Sequence, residues 1–220
     1  MIDAFVGCSV LAFVTWKTDV LSAKASILAF LMGLTIWALN GPLWILLLVS
    51  FLVIGYGGTK WKFDYKRGIG TEESKNGRRN IVNILGNGTA PVVFAVVGSP
   101  VAFAGSISTA LADTLASEIG VVSDRSRLIT TWKKVEPGTN GAVSPLGTLL
   151  SATGSAIIAI LSYYMLQINP VVVFVAGFAG CHIDSLLGAT LERRGYLTKS
   201  GVNLLATLSG GIIAFILVAL

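Results

Sequence analysis

The charged residues of this chain are confined to a few stretches, and the runs between them decide what it can fold into. Residues 25–59, 80–112 and 200–220 contain no charged side chain, and residues 137–183 carry only His182. An apolar run of 18 or more residues reads as a bilayer-crossing helix, because about 20 residues cover the hydrocarbon core. The rest of the composition agrees. The chain is 54% hydrophobic and 12% charged, about half the ~25% charge of globular domains, and its mean hydropathy is +0.78. A water-soluble surface cannot be covered with so little charge.

Turn-forming residues divide the runs. Helices are predicted over 4–16, 25–39, 43–57, 81–97, 101–122, 142–165, 171–190 and 201–220. The fold class is therefore all-α, a polytopic transmembrane helical bundle of seven or eight spans in one domain, residues 1–220. The first segment is the weak one: its 13 residues rise only about 20 Å, short of a hydrocarbon core of about 30 Å. Asn40-Gly41-Pro42, Ser99-Pro100 and Asn169-Pro170 make short turns. The longer connections, 17–24, 58–80, 123–141 and 191–200, hold all 16 Lys and Arg residues. Helix alternation puts all four on one side, and the positive-inside rule makes that side cytoplasmic. The net charge of +5 is thus a signature of topology, and no nucleic-acid partner is expected. The start lacks the basic n-region of a cleaved signal, and a plasma-membrane location is expected.

A charge inside a spanning helix costs about 2.5–3.5 kcal/mol on insertion scales, so each one demands a reason. Three carboxylates qualify: Asp113 and Glu118 in ADTLASEIG, and Asp184 in CHIDSLLGATLERR. Counted from the basic side at 1.5 Å per residue, they lie roughly 13, 6 and 10 Å deep. One wet pocket open to that side fits these depths better than a path across the membrane. Asn76, Asn80, Asn83 and Asn87 recur at the spacing of a single helical face, and their amides either reach the same layer or join helices. Ala104, Ser108, Ala112 and Ala116 form a ridge of small residues suited to close helix packing. Asp113-Thr114-Leu115 echoes Asp184-Ser185-Leu186, a hint of a parallel repeat. His182 is expected to be neutral and hydrogen-bonded within the bundle. Cys8 and Cys181 read as small buried hydrophobes, and the five tryptophans, Trp44 among them, as interfacial anchors.

The connection SDRSRLITTWKKVEPGTNG supplies Arg125, Arg127, Lys133 and Lys134, then enters the next helix through Pro137-Gly138-Thr139-Asn140-Gly141. Backbone N–H groups at such an entry suit an anion. Carboxylates able to hold Mg²⁺, with cations and N–H donors around them, are what phosphoryl transfer needs. No P-loop, HExxH, GxSxG or GxGxxG is present, so a nucleotide must be held by other means.

The stretches NGRRNIVNILGNG, ADTLASEIG, RLITTWKKVEPGTNGAVSPLG and GCHIDSLLGATLERRG, within the motif-bearing residues 76–195, resemble the integral membrane family that contains transmembrane protein 19 and plant phytyl-phosphate kinase. This chain has Ala112 and Ala142 where that family commonly has Gly. The resemblance implies a kinase that passes a phosphoryl group from a nucleoside triphosphate, CTP, to an isoprenoid monophosphate such as phytyl or geranylgeranyl phosphate. On that reading Asp113, Asp184 and Glu118 are candidate ligands of Mg²⁺. Asp113, Asp184, Lys133 and Lys134 are the candidate catalytic residues. Asn83, Asn87, Glu118, Ser117, Arg127, Thr139, Asn140, Gly141 and Ser185 are candidates for nucleotide or phosphate binding. Two other readings stay open: a CTP:lipid-phosphate cytidylyltransferase, and a transporter whose carboxylates bind protons or cations.

Overall fold

The computed structural model describes residues 1–72 and 77–219, so Asn76 lies outside the described residues. The helices follow in the order α1 (Ile2–Lys17), α2 (Ala23–Asn40), α3 (Pro42–Lys60), the short α4 (Phe63–Gly68), α5 (Ile81–Val96), α6 (Pro100–Glu118), α7 (Pro145–Leu166), α8 (Pro170–Leu187) and α9 (Lys199–Ala219). Local chemistry sets their starts. Pro42, Pro100, Pro145 and Pro170 each open a helix, where the missing N–H costs nothing. Ser22, Ser99, Ser144 and Asn169 cap the helices that follow them with a side-chain oxygen. Asn80 and Asn83 cap α5 reciprocally.

Two predicted boundaries are corrected. The helix expected over 101–122 ends at Glu118 and continues as a 3-10 turn, Gly120–Val122. The helix expected from 142 begins at Pro145, because Ala142–Val143 (β2) pair antiparallel with Arg127–Leu128 (β1). A two-residue strand has no periodicity to read. α8 runs on into a π-helical turn, Gly188–Glu192.

Among the described residues five helices, α2, α3, α7, α8 with its π turn, and α9, are long and apolar enough to cross a membrane, and α5 is a shorter apolar helix. The expected seven or eight is not reached by that measure. α1 and α5 have 16 residues each. α6 has 19, but Asp113, Glu118 and its Ser, Thr and Gly residues hold its hydropathy down. The reason is its place. α6 packs on α3, α5, α7, α8 and α9, and every residue from Ala102 to Ala112 is buried, so its neighbours are protein.

Glycines allow that enclosure. A methyl on Gly154 of α7 would stand 2.9 Å from the Ala112 backbone, and methyls on Gly177 and Gly180 of α8 would run into Ser108 and Thr109. The small-residue ridge of α6 is thus a packing surface, as expected. Trp44 is corrected: it is buried against Phe103, with ring centroids 4.6 Å apart, and anchors nothing at an interface. Cys8 and Cys181 are buried free thiols.

The four basic connections meet on one face. Leu21 bridges to Arg79. Gly138 lies against Thr71, and Gly141 against Ala189. The Ser200 hydroxyl donates to the Val82 carbonyl at 3.1 Å.

Candidate active site

Beneath those connections lies a cavity of about 390 Å³ lined by α6, α7, α8 and the loop before α7. α6 and α8 approach it side by side. Gly180 of α8 meets Thr109 of α6, and four residues further along each helix stand Asp184 and Asp113. Both carboxylates line the cavity, half-buried, with Cys181, Ser117 and Ser185. The two helices present their C-terminal ends, where the backbone dipole favours cations. Gly147, Thr148 and Ser151 bring the N-terminal turns of α7, the end that favours anions, to the same cavity. One space therefore offers carboxylates and helix C-termini on one side and backbone donors on another.

The PGTNG loop covers it with two consecutive turns. Thr139 gives both its N–H and its hydroxyl to the Glu136 carbonyl, at 3.2 and 2.6 Å, and the Ala142 N–H reaches the Thr139 carbonyl at 3.0 Å. Gly138 and Gly141 hold the third position of each turn at φ +82° and +77°, the left-handed region such turns require. Thr139 is thereby occupied as a donor. Within PGTNG the N–H groups these two turns do not use are those of Gly138, Asn140 and Gly141. Gly141 also lies so close to the Ala189 backbone that a methyl there would overlap it. Gly141→Ala combines a disfavoured φ with that clash, so we expect it to destabilise the protein by about 1–3 kcal/mol, read as a fall in Tm by scanning fluorimetry against the wild type.

Several expected residues fall elsewhere. Glu118 does not line the cavity: its carboxylate accepts from Lys66 Nζ of α4 at 2.6 Å, with both side chains buried. Lys66 also donates to the Gly58 and Thr59 carbonyls at 3.1 and 2.7 Å. This is a reason for an intramembrane charge other than metal binding. Lys133 and Lys134 sit exposed on the hairpin, outside the lining. Arg127 is exposed too, its guanidinium donating to the Trp132 carbonyl at 2.8 Å, so it holds the hairpin turn. Asn83 and Asn87 line a narrow neck on the other side of α6, with Arg79, Asp113, Glu118 and Asn203. Asn80 is spent on the α5 cap, and Asn83 Oδ1 accepts the Asn80 N–H at 2.9 Å. His182 lines the cavity and bonds the Phe178 carbonyl through Nδ1 at 2.7 Å. A carbonyl only accepts, so Nδ1 carries a proton.

Sequence reasoning passed over Lys199, Arg79 and Lys66. Lys199 lines the cavity from the start of α9. Arg79 is buried, with its guanidinium over the Phe51 ring at 5.2 Å. The signal for Lys66 was Glu118 itself, since a buried carboxylate requires a cation.

Among the described residues no group of three or more His, Cys, Asp or Glu side chains could hold a metal. Asp113 and Asp184, with the Ser117 and Ser185 hydroxyls, are among the oxygen donors that line the cavity, a donor type that Mg²⁺ takes when water and phosphates complete its shell.

The comparisons with known proteins bear on the whole chain. It is 33% identical to an uncharacterized membrane protein of Methanocaldococcus jannaschii, covering 94% of this chain and 90% of that one. It is 32% identical to protein VTE6 of Arabidopsis thaliana, designated chloroplastic, over 90% of this chain and 65% of the plant protein. A membrane protein of Synechocystis is 31% identical over 84% of this chain and 78% of its own length. No solved structure matches the chain significantly. A chloroplastic relative gives the expected plasma membrane no support, and the location that stands is a multi-pass membrane protein. Residues 6–211 match the family described as integral membrane protein DUF92, and the chain belongs to that family.

Proposed function

We propose that this protein is a kinase of isoprenoid monophosphates, drawing the phosphoryl group from a nucleoside triphosphate, CTP by preference, at a site on the cytoplasmic side of the membrane. The observation that carries the reading is the convergence of Asp113 and Asp184, from two parallel helices, on a cavity that also has a helix N-terminus and a glycine-turn loop. The similarity to VTE6 and the motif resemblance to a family with phytyl-phosphate kinase support it.

A non-bridging oxygen of the acceptor monophosphate attacks the γ-phosphorus. The bond from that phosphorus to the β,γ-bridging oxygen breaks, and its electron pair leaves with the nucleoside diphosphate. The acceptor is already anionic at neutral pH, so no strong general base is needed, and His182 can stay neutral. Asp113 and Asp184 would hold Mg²⁺, which neutralises phosphate oxygens when bound. Lys199, rather than Lys133 or Lys134, lies where a cation can meet phosphates. The Asn140 and Gly141 N–H groups and the first turns of α7 hold triphosphate oxygens. Transfer is then largely a matter of positioning and charge.

Purified protein given geranylgeranyl phosphate, CTP and Mg²⁺ is expected to release CDP and form geranylgeranyl diphosphate, read by mass spectrometry. Pyrophosphate with a CDP-lipid would assign a cytidylyltransferase instead. Counterflow in proteoliposomes without nucleotide turnover would assign a transporter.

A further inference from the structure

A second cavity, about 350 Å³, lies on the far side of α6 between α1, α2, α3 and α5. Its walls are apolar: Ala29, Phe30, Gly33, Ile45, Leu48 and Leu52 are representative. From Ile45 to Tyr56 it follows α3 over twelve residues, a rise of roughly 16 Å. One end differs in kind. There Arg79, Asn83 and Asn87 enter the lining, and these three side chains also line the neck that contains Asp113. The neck measures about 10 Å³, room for about one water. Asp113 lines both the neck and the polar cavity, so the neck stands between the two large cavities, sharing Asp113 with the polar one and Arg79, Asn83 and Asn87 with the apolar one.

The polar end is built, not incidental. The Arg79 N–H donates to the Val20 carbonyl at 3.0 Å, and its carbonyl accepts the Ser22 N–H at 3.0 Å. These bonds pin Arg79 to the α1–α2 connection while its guanidinium rests over Phe51. Asn83 uses its oxygen in the α5 cap, which leaves its amide N–H groups as the donors it can turn to a ligand. A buried guanidinium and amide donors at the end of an apolar slot select one ligand chemistry: an anionic phosphate head on an apolar chain.

We infer that this second cavity is the acceptor site, holding the tail of a single-chain lipid monophosphate with its phosphate on Arg79, Asn83 and Asn87. The inference rests on the kinase reading above. It adds that donor and acceptor enter from opposite sides of α6, nucleotide by the polar cavity and lipid from the bilayer, and meet at Asp113. The neck has to widen for the acceptor oxygen to reach the γ-phosphorus. Keeping the compartments apart denies the nucleotide a path into the lipid slot.

The test uses the full-length protein in nanodiscs and a diazirine-bearing geranylgeranyl phosphate probe. Cross-links are expected on α1, α2, α3 and α5, competed by geranylgeranyl phosphate and not by two-chain phosphatidic acid. Cross-links confined to α7–α9, or equal competition by phosphatidic acid, would overturn the assignment. This readout needs no turnover, so it stands apart from failure of the kinase reading, which would show as absence of diphosphate product. Kinetics supply the second arm. Ala29→Trp, which fills the slot, is expected to raise KM for geranylgeranyl phosphate about tenfold or more, leaving KM for dimethylallyl phosphate and CTP unchanged. Arg79→Gln is expected to raise KM for both lipids about 10–100-fold without changing that for CTP. An active enzyme whose lipid KM values do not move in either variant refutes the site.

Discussion

Asp113→Asn is expected to lower the rate of diphosphate formation by about 10²–10³-fold, the usual cost of removing one preorganised electrostatic group, while the protein still inserts, purifies and melts within a few degrees of the wild type. Asn keeps the shape of Asp, so the packing of α6 against Gly154, Gly177 and Gly180 is undisturbed. What changes is charge. Asp113 is the acidic residue common to the polar cavity and the neck, so its loss affects both the proposed cation site and the proposed meeting point of the substrates. Asp184→Asn, at a residue of the polar cavity that does not line the neck, is expected to weaken Mg²⁺ dependence as well, with a smaller effect on lipid KM. Rates measured across a Mg²⁺ titration separate the two. Wild-type turnover in Asp113→Asn would sink the proposed role of this carboxylate.

The second large effect is on stability. Lys66→Met strands the Glu118 carboxylate inside the bundle without the ammonium that now meets it at 2.6 Å. Breaking a buried pair from one side costs about 3–5 kcal/mol. For a chain of 220 residues that corresponds to a fall in Tm of order 10 °C, measurable by scanning fluorimetry in detergent. Lys66→Met combined with Glu118→Leu is expected to recover most of the loss, because the uncompensated charge is gone. A double variant no more stable than the single one would show that the two side chains do not act as a pair.

Hydropathy located the long helices well. Residues 43–57 and 81–97 were expected to be helical, and the helices are Pro42–Lys60 and Ile81–Val96. The placement of Asp113 and Asp184 at one depth was legible because helical rise converts position into distance. Two limits had physical causes. Glu118 reads in the sequence as a metal or phosphate-site carboxylate, whereas its partner Lys66 comes from a six-residue helix with no period to detect. The asparagine face was read as one surface, but α5 starts at Ile81. Asn80 is therefore a cap, Asn83 and Asn87 reach the neck, and Asn76 lies outside the described residues. Lys133 and Lys134 stood beside PGTNG in sequence, yet the β1–β2 hairpin carries them out to solvent. Lys199, remote in sequence, lines the cavity because α9 starts beside α8.

The enclosure of α6 bears on how the chain is made. Insertion machinery samples helices as they emerge, and a segment poor in Leu and Ile partitions weakly by itself. α6 gains its place from α7, α8 and α9, which are translated after it. Its entry into lipid is thus a collective event, completed when later helices arrive to sheathe it. The carboxylate at the heart of the protein is delivered to the membrane interior by its escorts, and biogenesis and the proposed catalysis place their demands on the same nineteen residues.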